Sequence, residues 1–409
     1  IPHFEKMLYD NALLLDLLAL AYTQTGTKLF AERARETVTW LQRDMASEAA
    51  FAASEDADSE GVEGKFYVWS LAEIQSLLGP DTDFFAQHYP LPAQGNWEHS
   101  IILERVTPQG DAATETRLKA CRERLLTRRA TRIRPGRDDK ILTDWNALTV
   151  AALVRASFAF NEPSWLAAAQ TLFERLLAAL GAADGRIAHA MRDGKISAAG
   201  LLEDHATMLR AALALYEATG VIALLDQALR LLAATEAHFS DHAGSFTMAS
   251  ADATDLPGPR LRNITDGPTP SGIGLMAENY ARLLHLTGDP TYRAKAEALL
   301  AAHGGQPNRL AAAPVLLAAA DLLENATCIV LTGGNPALTA AALAAPDPAI
   351  VILRIAPGQI LHESHPAYGK SSAASAAFLC RGGICTPPVT TPQTLRAQLR
   401  QLPQNRNTP

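Results

Sequence analysis

Basic residues, cysteines and long apolar runs are all scarce in this 409-residue chain, and each scarcity excludes a class of protein. Lysine and arginine number 36 against 43 aspartates and glutamates, giving a net charge of −7. The chain therefore has no basic excess with which to neutralise a nucleic-acid backbone. The longest apolar runs, at residues 12–22 and 310–320, are well short of the ~20 residues that a membrane helix needs. We expect neither a nucleic acid nor a membrane as partner.

Only four cysteines are present, which is too few for a disulfide scaffold and suits a reducing compartment. Because no signal peptide is visible either, we expect a cytoplasmic protein. Cys380 and Cys385 have four residues between them, whereas a redox dithiol has two, and no nearby histidine completes a zinc set. This spacing favours structural thiols and leaves a hairpin disulfide open. We expect no metal and no cofactor.

Apolar residues, by contrast, are plentiful. They make up 48% of the chain against 19% charged residues, so a large core can form, and the length allows two or three domains or one domain built from repeats. The chain starts at Ile1, and motif-like sequence begins at once with His3-Phe4-Glu5-Lys6. From this start we expect a fragment or processed form that lacks an N-terminal part.

A degenerate repeat of helix pairs dominates the sequence. In each pair a helix that is apolar nearly all round is followed by an amphipathic partner, as between residues 28 and 49, where apolar residues recur at steps of three and four. An all-round apolar helix must be covered on both sides, which places it inside a ring of hairpins. The first helices of the pairs begin near Asp10, Asp144, Asp204 and Ser271. Since the separation in sequence between the first two of these starts is the longest, we expect one further helix pair within this long first step.

The predicted fold class is mainly α, an (α/α)6 toroid of six-hairpin type, N-terminally incomplete, with a small C-terminal α/β subdomain. We assign residues 1–325 to the barrel domain, with a β-containing insertion near residues 51–104. In that insertion, residues 64–69 have the composition of a strand, and Ser70 is placed to cap a helix through Leu78. From residue 326 onward, alternating buried-strand and helix patterns predict the α/β subdomain of residues 326–409.

Polar residues cluster where the predicted inner helices begin. If the inner helices run parallel, these starts converge on one mouth, where helix N-termini add partial positive charge. A mouth with carboxylates, histidines, a lysine and aromatic rings suits polyhydroxylated ligands. Helix capping explains the same residues without any function, because aspartate and serine satisfy the free N–H groups of a first turn. The cluster comprises His3, Glu5, Asp10, Asp139, Lys140, Asp144, Trp145, Asn146, Glu203, Asp204, His205, Asp266 and Ser271.

An acidic stretch follows the first helix pair. Asp56, Asp58 and Glu60 precede Gly61 as in the first half of a calcium loop, but the position of the bidentate glutamate is Tyr67, which rejects an EF-hand. The stretch either lines the mouth or is a solvated turn. The sequence leaves a second choice open for the arginines between residues 128 and 137, which either pair with neighbouring acids or clamp an anion.

Several strings resemble the thioredoxin-domain-containing, spermatogenesis-associated protein family, and they extend over essentially the whole chain. They are PHFEKMLYDNALL (2–14), EDADSEGVEGKFYVW (55–69), GNWE (95–98), RPGRDDKILTDWNAL (134–148), HAMRDGK (189–195), LLEDHATML (201–209), TDGPTPSG (265–272) and the final C-x4-C followed by Pro-Pro. The resemblance implies a thioredoxin-like domain as an additional partner in the full-length protein. It also implies a barrel similar to N-acylglucosamine 2-epimerase and six-hairpin glycosidases.

Two functions follow as hypotheses. The first is a carbohydrate-active enzyme of epimerase, isomerase or glycosidase type. In it His3, Glu5, Asp139, Asp144, Asp204 and His205 are the candidate catalytic groups, since proton transfer at a sugar needs groups that titrate near neutral pH. Asp10, Asp56, Asp58, Glu60, Trp97, Glu98, Lys140, Trp145, Asn146, Glu203, Asp266 and Ser271 are the candidate substrate contacts. The second is a non-catalytic sugar- or protein-binding module, favoured where the chain departs from the family motifs at His99–Ile101, Ile273 and Gly274.

Overall fold

The computed structural model of this chain describes residues 3–47, 49–241, 244–254, 256–305, 310–355, 359, 361–365, 367–370 and 374–401. Contacts divide the chain into two compact units, one of Ile1–Met7 with Ala53–Asp139 and the other of Leu8–Ala52 with Lys140–Pro409. Most of the insertion predicted near residues 51–104 lies in the smaller unit, which also includes residues 1–7 and extends to Asp139. The predicted division at residue 326 stays a prediction.

Helix hairpins build the larger unit. Within the described residues its inner helices are α1 (Leu8–Thr25), α6 (Thr143–Ala159), α8 (Leu202–Thr219), α10 (Gly272–Thr287) and α12 (Pro314–Asn325). Each packs against the next in this order. The outer partners of the first four are α2 (Lys28–Trp40), α7 (Pro163–Leu180), α9 (Ile222–Phe239) and α11 (Pro290–Gly304). This inner–outer order confirms the predicted hairpin fold of (α/α)6 type.

Burial follows the predicted difference between inner and outer helices. In α8, residues are buried on every side, including Asp204, His205 and Glu217. In α7, buried residues form one stripe from Trp165 to Leu180 at helical spacing. Inner helices α6, α8 and α10 each have an inner neighbour on both sides, as an all-round apolar pattern requires. α1 packs against α6 and α2 but leaves Leu14 and Leu17 53% and 60% exposed.

The expectation of a further hairpin in the long first step is wrong, because α1 packs directly against α6. Residues 53–139 belong instead to the smaller unit. It contains strands β1 (Lys6–Met7), β2 (Ser54–Glu55), β3 (Asp58–Ser59), β4 (Val62–Glu63) and β5 (Arg137–Asp138), and helices α3 (Leu71–Leu78), α4 (Thr82–His88) and α5 (Ala112–Arg129). The 18-residue α5 was not predicted from the sequence, and it joins the core of the smaller unit.

The smaller unit has its own core, formed where α3, α4 and α5 enclose Trp69, Phe85 and Leu118. Ser70 caps α3 as expected, since its hydroxyl accepts from the Glu73 N–H at 3.2 Å. The strand predicted at residues 64–69 is wrong, because that segment forms turns after the β3–β4 hairpin. Gly64 adopts a positive φ of 70°, and a side chain there would collide with the Phe4 ring.

A small antiparallel sheet lies at the start of α6. Strands β6 (Ile141–Leu142), β7 (Ala190–Arg192) and β8 (Lys195–Ala198) pair in that order. The register sets Leu142 opposite Ala190, so the residue that precedes β7 lies beside the first turn of α6. That residue is His189.

The C-terminal residues form the predicted α/β arrangement. Strands β9 (Thr327–Thr332) and β10 (Ile350–Arg354) are parallel and connected by α13 (Pro336–Leu343). β11 (Ala376–Arg381) pairs antiparallel with β9 and with β12 (Ile384–Cys385), and α14 (Pro392–Gln401) packs against α13. Among the described helices, none is both long and apolar enough to cross a membrane.

Candidate functional site

Two carboxylates and one histidine meet at the first turns of α6 and α8. Asp144, His189 and Asp204 each place a nitrogen or carboxylate oxygen within 4.8 Å of the other two. Asp144 and Asp204 are buried, whereas His189 is half-buried. We call these three residues the acid–histidine cluster.

Asp204 is the centre of this cluster. One of its oxygens accepts from the backbone N–H of Asp144 at 3.3 Å, and the other accepts from the N–H of Leu201 at 2.8 Å. His189 Nδ1 lies 3.0 and 3.1 Å from the two oxygens. Because a carboxylate only accepts hydrogen bonds, Nδ1 carries the proton. Asp204 therefore joins the N-termini of two inner helices and fixes the orientation of the His189 ring.

The backbone around His189 is held as firmly as its ring. Its carbonyl accepts from the N–H of Thr143 at 2.9 Å, and its own N–H donates to the carbonyl of Ala198 at 3.1 Å. Gly200 makes the return of the chain to α8 possible, since a Cβ atom there would lie 1.9 Å from the Ile187 carbonyl oxygen. His189 is thus placed by the small sheet and oriented by α8.

Two polar atoms of the cluster remain unpaired within the described part of the chain, namely Nε2 of His189 and Oδ2 of Asp144. The other Asp144 oxygen accepts from the Trp145 N–H at 2.9 Å. The side chain of His189 is 26% exposed and that of Asp204 0% exposed. Within the cluster, the side chain of His189 is therefore partly open to solvent, whereas Asp204 lies behind it.

The surroundings raise the pKa of both groups. Burial, followed by the charge of Asp204, raises the pKa of Asp144 to about 7. The hydrogen bond that His189 donates to Asp204 raises the pKa of His189, against the opposing effect of burial. Burial also raises the pKa of the neighbouring Glu203, whose Oε2 is buried without a hydrogen-bond partner. Perturbed groups gathered in one place are typical of a functional site.

The cluster also has the chemistry of a metal-ligand set, with one imidazole and two carboxylates. However, His189 Nδ1 and both Asp204 oxygens are already bonded to one another. A cation would have to displace that hydrogen bond. The geometry therefore favours proton transfer over ion binding.

Other predicted residues of the larger unit have structural contacts. His205 is fully buried, with Nε2 3.1 Å from the Ile187 N–H and Nδ1 2.8 Å from the Leu201 carbonyl oxygen. Both ring nitrogens are thus occupied by the backbone, and burial lowers the pKa of His205. Contrary to the sequence expectation of a catalytic role, the structure gives His205 the contacts of a neutral core histidine.

Asn146, Asp266 and Ser271 are also bonded to the backbone. The Asn146 amide accepts from the N–H of Phe51 and donates to the Phe51 carbonyl oxygen, both at 3.0 Å. Asp266 accepts from the N–H groups of Ser271 and Val315 at 2.7 and 2.8 Å, and the Ser271 hydroxyl caps α10. The contacts of Asp266 and Ser271 match the capping explanation, whereas Asn146 ties the backbone of Phe51 to α6.

Trp145 packs edge-on against Tyr9, with ring centroids 4.7 Å apart. Asp10 in the first turn of α1 and Lys140 before β6 are both exposed. None of these three residues belongs to the acid–histidine cluster.

The remaining predicted residues lie in the smaller unit, and the structure does not bring them into the acid–histidine cluster. Four of them have defined contacts there: Asp139 pairs with Arg137 at 2.6 Å, Glu60 pairs with Lys65 at 2.8 Å, Trp97 packs on Phe4, and Asp56 accepts from the Asp58 N–H at 3.2 Å. His3, Glu5, Asp58 and Glu98 are exposed. Their predicted roles stay predictions.

Sequence reasoning missed His189. The residue opens the string HAMRDGK, which was used for the resemblance but given no role. The available signal was a histidine ahead of a Gly-containing hairpin, and only the pairing of β6 with β7 shows that this hairpin returns to the start of α6.

Comparisons with known proteins agree with the motifs. No protein-family model matches the chain. Spermatogenesis-associated protein 20 from Homo sapiens is 26% identical over 98% of this chain, and the Rattus norvegicus protein of the same name has the same identity and coverage. The predicted resemblance is confirmed. The chain spans 58% of the length of these relatives.

Solved structures with a similar fold carry names from sugar chemistry. A family 76 α-mannanase from Bacteroides thetaiotaomicron matches with a TM-score of 0.43 and 13% identity, over 73% of this chain and 61% of its own. A cellobiose 2-epimerase from Spirochaeta thermophila matches with a TM-score of 0.40 and 14% identity, over 78% of this chain and 60% of its own. A D-mannose isomerase matches with a TM-score of 0.39 and 14% identity, over 74% of this chain and 76% of its own.

Proposed function

We propose that the larger unit is a sugar epimerase or isomerase in which His189 and Asp144 transfer protons and Asp204 positions His189. The observation that carries this proposal is the pairing of an Asp204-oriented imidazole with a carboxyl group whose pKa is about 7. General acid–base catalysis is most effective when both partners titrate near the working pH. The sugar as substrate class follows from the family resemblance.

The roles of the two groups follow from their surroundings. His189 holds its proton on Nδ1 toward Asp204, so neutral Nε2 is the available base. It would take the proton from the carbon next to a sugar carbonyl. Asp144 has a pKa of about 7, so about half of its population is protonated at neutral pH. This protonated form would supply a proton to the carbonyl oxygen or to the neighbouring carbon. Glu203, whose Oε2 has no hydrogen-bond partner among the described residues, would accept a hydrogen bond from a substrate hydroxyl.

A glycosidase mechanism is less well supported by the same residues. Glycoside hydrolysis requires two carboxyl groups that both reach the scissile bond, ~5–5.5 Å or ~6.5–9.5 Å apart. Asp144 and Asp204 are close enough, but the side chain of Asp204 is 0% exposed and its oxygens are occupied by three donors. This pair cannot present two carboxyls to one substrate. Proton transfer through His189 makes no such demand.

The test is proton NMR of aldoses and β-linked disaccharides incubated with the full chain in D2O. We expect loss of the sugar C2 proton signal, because a base that removes this proton returns deuterium from solvent. Substitution of His189 by alanine should abolish the exchange by at least ~100-fold, the contribution typical of a general base. Asp144→Asn should reduce it to a similar extent.

His362→Ala serves as the matched control, since His362 is an exposed histidine of the same unit whose ring bonds nearby Ser364. It should leave exchange unchanged. Absence of exchange with a folded wild-type chain would reject the epimerase and isomerase proposal. Line broadening of the sugar signals in that case would support the alternative, a non-catalytic sugar-binding module. Release of free monosaccharide would instead indicate a glycosidase.

A further inference from the structure

Three of the four cysteines stand in one row across the C-terminal sheet. Cys328 on β9 is the register partner of Cys380 on β11, and Cys380 is the register partner of Cys385 on β12. Directly opposed residues of antiparallel strands point to the same face. All three side chains accordingly belong to one apolar cluster on that face. The fourth cysteine, Cys121, lies in the smaller unit.

The row holds one disulfide and one thiol. Cys380 and Cys385 are bonded, with Cα atoms 4.0 Å apart, which is the hairpin disulfide that the sequence left open beside the favoured structural thiols. Cys328 is a buried free thiol that donates to the His285 carbonyl oxygen at 3.8 Å. Cys380 therefore has a disulfide partner on one side and a thiol on the other.

We propose that this row is a thiol–disulfide exchange site, in which Cys380 can be bonded to either Cys385 or Cys328. Opposed residues of neighbouring strands have Cβ atoms ~4.5–5.5 Å apart, against ~3.5–4.5 Å in a disulfide, so a shift of about 1 Å is enough. Cys328 and Cys385 lie on opposite sides of β11, about two strand spacings or ~10 Å apart. Only Cys380 can be shared.

The exchange balances without an external oxidant. The Cys328 thiol loses its proton, and its sulfur bonds to the Cys380 sulfur. The bond between Cys380 and Cys385 breaks, and its electron pair leaves on the Cys385 sulfur, which then takes up a proton. Cys328 and Cys380 are 2% and 1% exposed, whereas Cys385 is half-buried beside Ile384, which is 79% exposed. The exchange thus moves a thiol from the core to the edge of the hairpin.

The Cys380–Cys385 disulfide exchanges slowly for a physical reason. Burial, with a further contribution from the charge of Glu217, raises the pKa of the Cys328 thiol to about 12, so the attacking thiolate is rare at neutral pH. A half-buried sulfur at the hairpin edge is reached more readily by small thiols and disulfides such as glutathione. The exchange therefore connects the half-buried Cys385 sulfur at the hairpin edge with the buried Cys328 thiol.

Trypsin separates the three cysteines, which makes the exchange measurable in the full-length chain. Cleavage after Arg309, Arg354, Lys370, Arg381 and Arg396 places Cys328, Cys380 and Cys385 in fragments 310–354, 371–381 and 382–396. Wild-type chain held at pH 8 and then alkylated should give mainly the link between 371–381 and 382–396. A second link, between 310–354 and 371–381, should appear after exchange.

Two matched variants decide the proposal. With glutathione disulfide as oxidant, Cys385→Ser should form the Cys328–Cys380 link, whereas Cys380→Ser should leave Cys328 and Cys385 unlinked or carrying glutathione. We expect at least ~10-fold more link in the first variant, because only adjacent strands bring sulfurs within bonding range. Cys121→Ser should behave as wild type. Absence of the Cys328–Cys380 link in both wild type and Cys385→Ser, or equal linking in the two variants, would overturn the proposal.

Discussion

Replacing Asp144 by asparagine should make the chain more stable and abolish the proposed activity. Asparagine has nearly the same shape and keeps an oxygen that can accept from the Trp145 N–H, as Asp144 does at 2.9 Å. What it removes is the ionisation of a buried group next to Asp204. A carboxyl group used only to cap α6 would give the opposite result, since losing a capping charge destabilises a helix.

The magnitude follows from the pKa of Asp144. Its value rises from 3.8 to about 7 on folding, a difference of about 3 units, and each unit corresponds to ~1.36 kcal/mol. The folded-state pKa is raised, so the stabilising contribution is complete below pH 3.8 and is lost as the pH rises through 7. Above pH 7 the wild-type chain should therefore be less stable than Asp144→Asn by on the order of 4 kcal/mol. At pH 4 the two should be nearly equal.

The assay is urea unfolding followed by tryptophan fluorescence from pH 4 to pH 8. The quantity to compare is the difference in free energy of unfolding between variant and wild type, because other titrating groups cancel in it. Asp193→Asn is the matched control, since the Asp193 side chain is 87% exposed and sits in a positive-φ turn that asparagine tolerates. The difference in free energy of unfolding between Asp193→Asn and wild type should not change with pH. Parallel curves for Asp144→Asn and wild type over this range would refute the reasoning.

Two further substitutions test the core around the site. His205→Ala should lower the free energy of unfolding by ~2–4 kcal/mol, because a fully buried ring that bonds two backbone groups is lost and a cavity remains; thermal unfolding would show this, and an unchanged midpoint would contradict it. Glu278→Gln should cost ~3–5 kcal/mol at neutral pH, because Glu278 neutralises buried Arg210 and Arg282 at 2.7 and 2.9 Å. Burial raises the pKa of Glu278, but the two guanidinium groups outweigh it and hold this pKa at about 2. The wild-type advantage should therefore persist above pH 4.5 and fade as the pH drops toward 2.

Hairpin order and helix starts could be predicted from the sequence because the hydrophobic period of each helix agrees with the side of the helix that is buried in the structure. The inner helices predicted to begin near Asp10, Asp144, Asp204 and Ser271 begin at Leu8, Thr143, Leu202 and Gly272. What periodicity could not supply is the assignment of residues 53–139 to a separate core. An isolated helix pattern such as that of α5 reports which face is apolar, but it does not report the surface against which that face packs.

The site was predictable in part for the same reason. Asp144 and Asp204 stand in the first turns of helices whose neighbourhood the repeat pattern implies, so their meeting could be expected. His189 lies on neither helix, and its position depends on the two-residue pairing of β6 with β7, which has no sequence signal. His205 was selected because it adjoins Asp204, yet neighbouring residues of a helix point about 100° apart, so it lies against Phe239 in the core.

Capping alone and the proposed catalytic role make opposite demands on the pKa of Asp144. A first-turn carboxylate in contact with free N–H groups and the helix dipole should have a lowered pKa. Asp144 has a raised one, because burial and the neighbouring charge of Asp204 outweigh those effects. Asparagine or serine at this position would provide the cap without the cost of an ionisable group. The aspartate at this position lowers stability at neutral pH, and the proposed role of Asp144 as a proton donor beside His189 would explain why it is there.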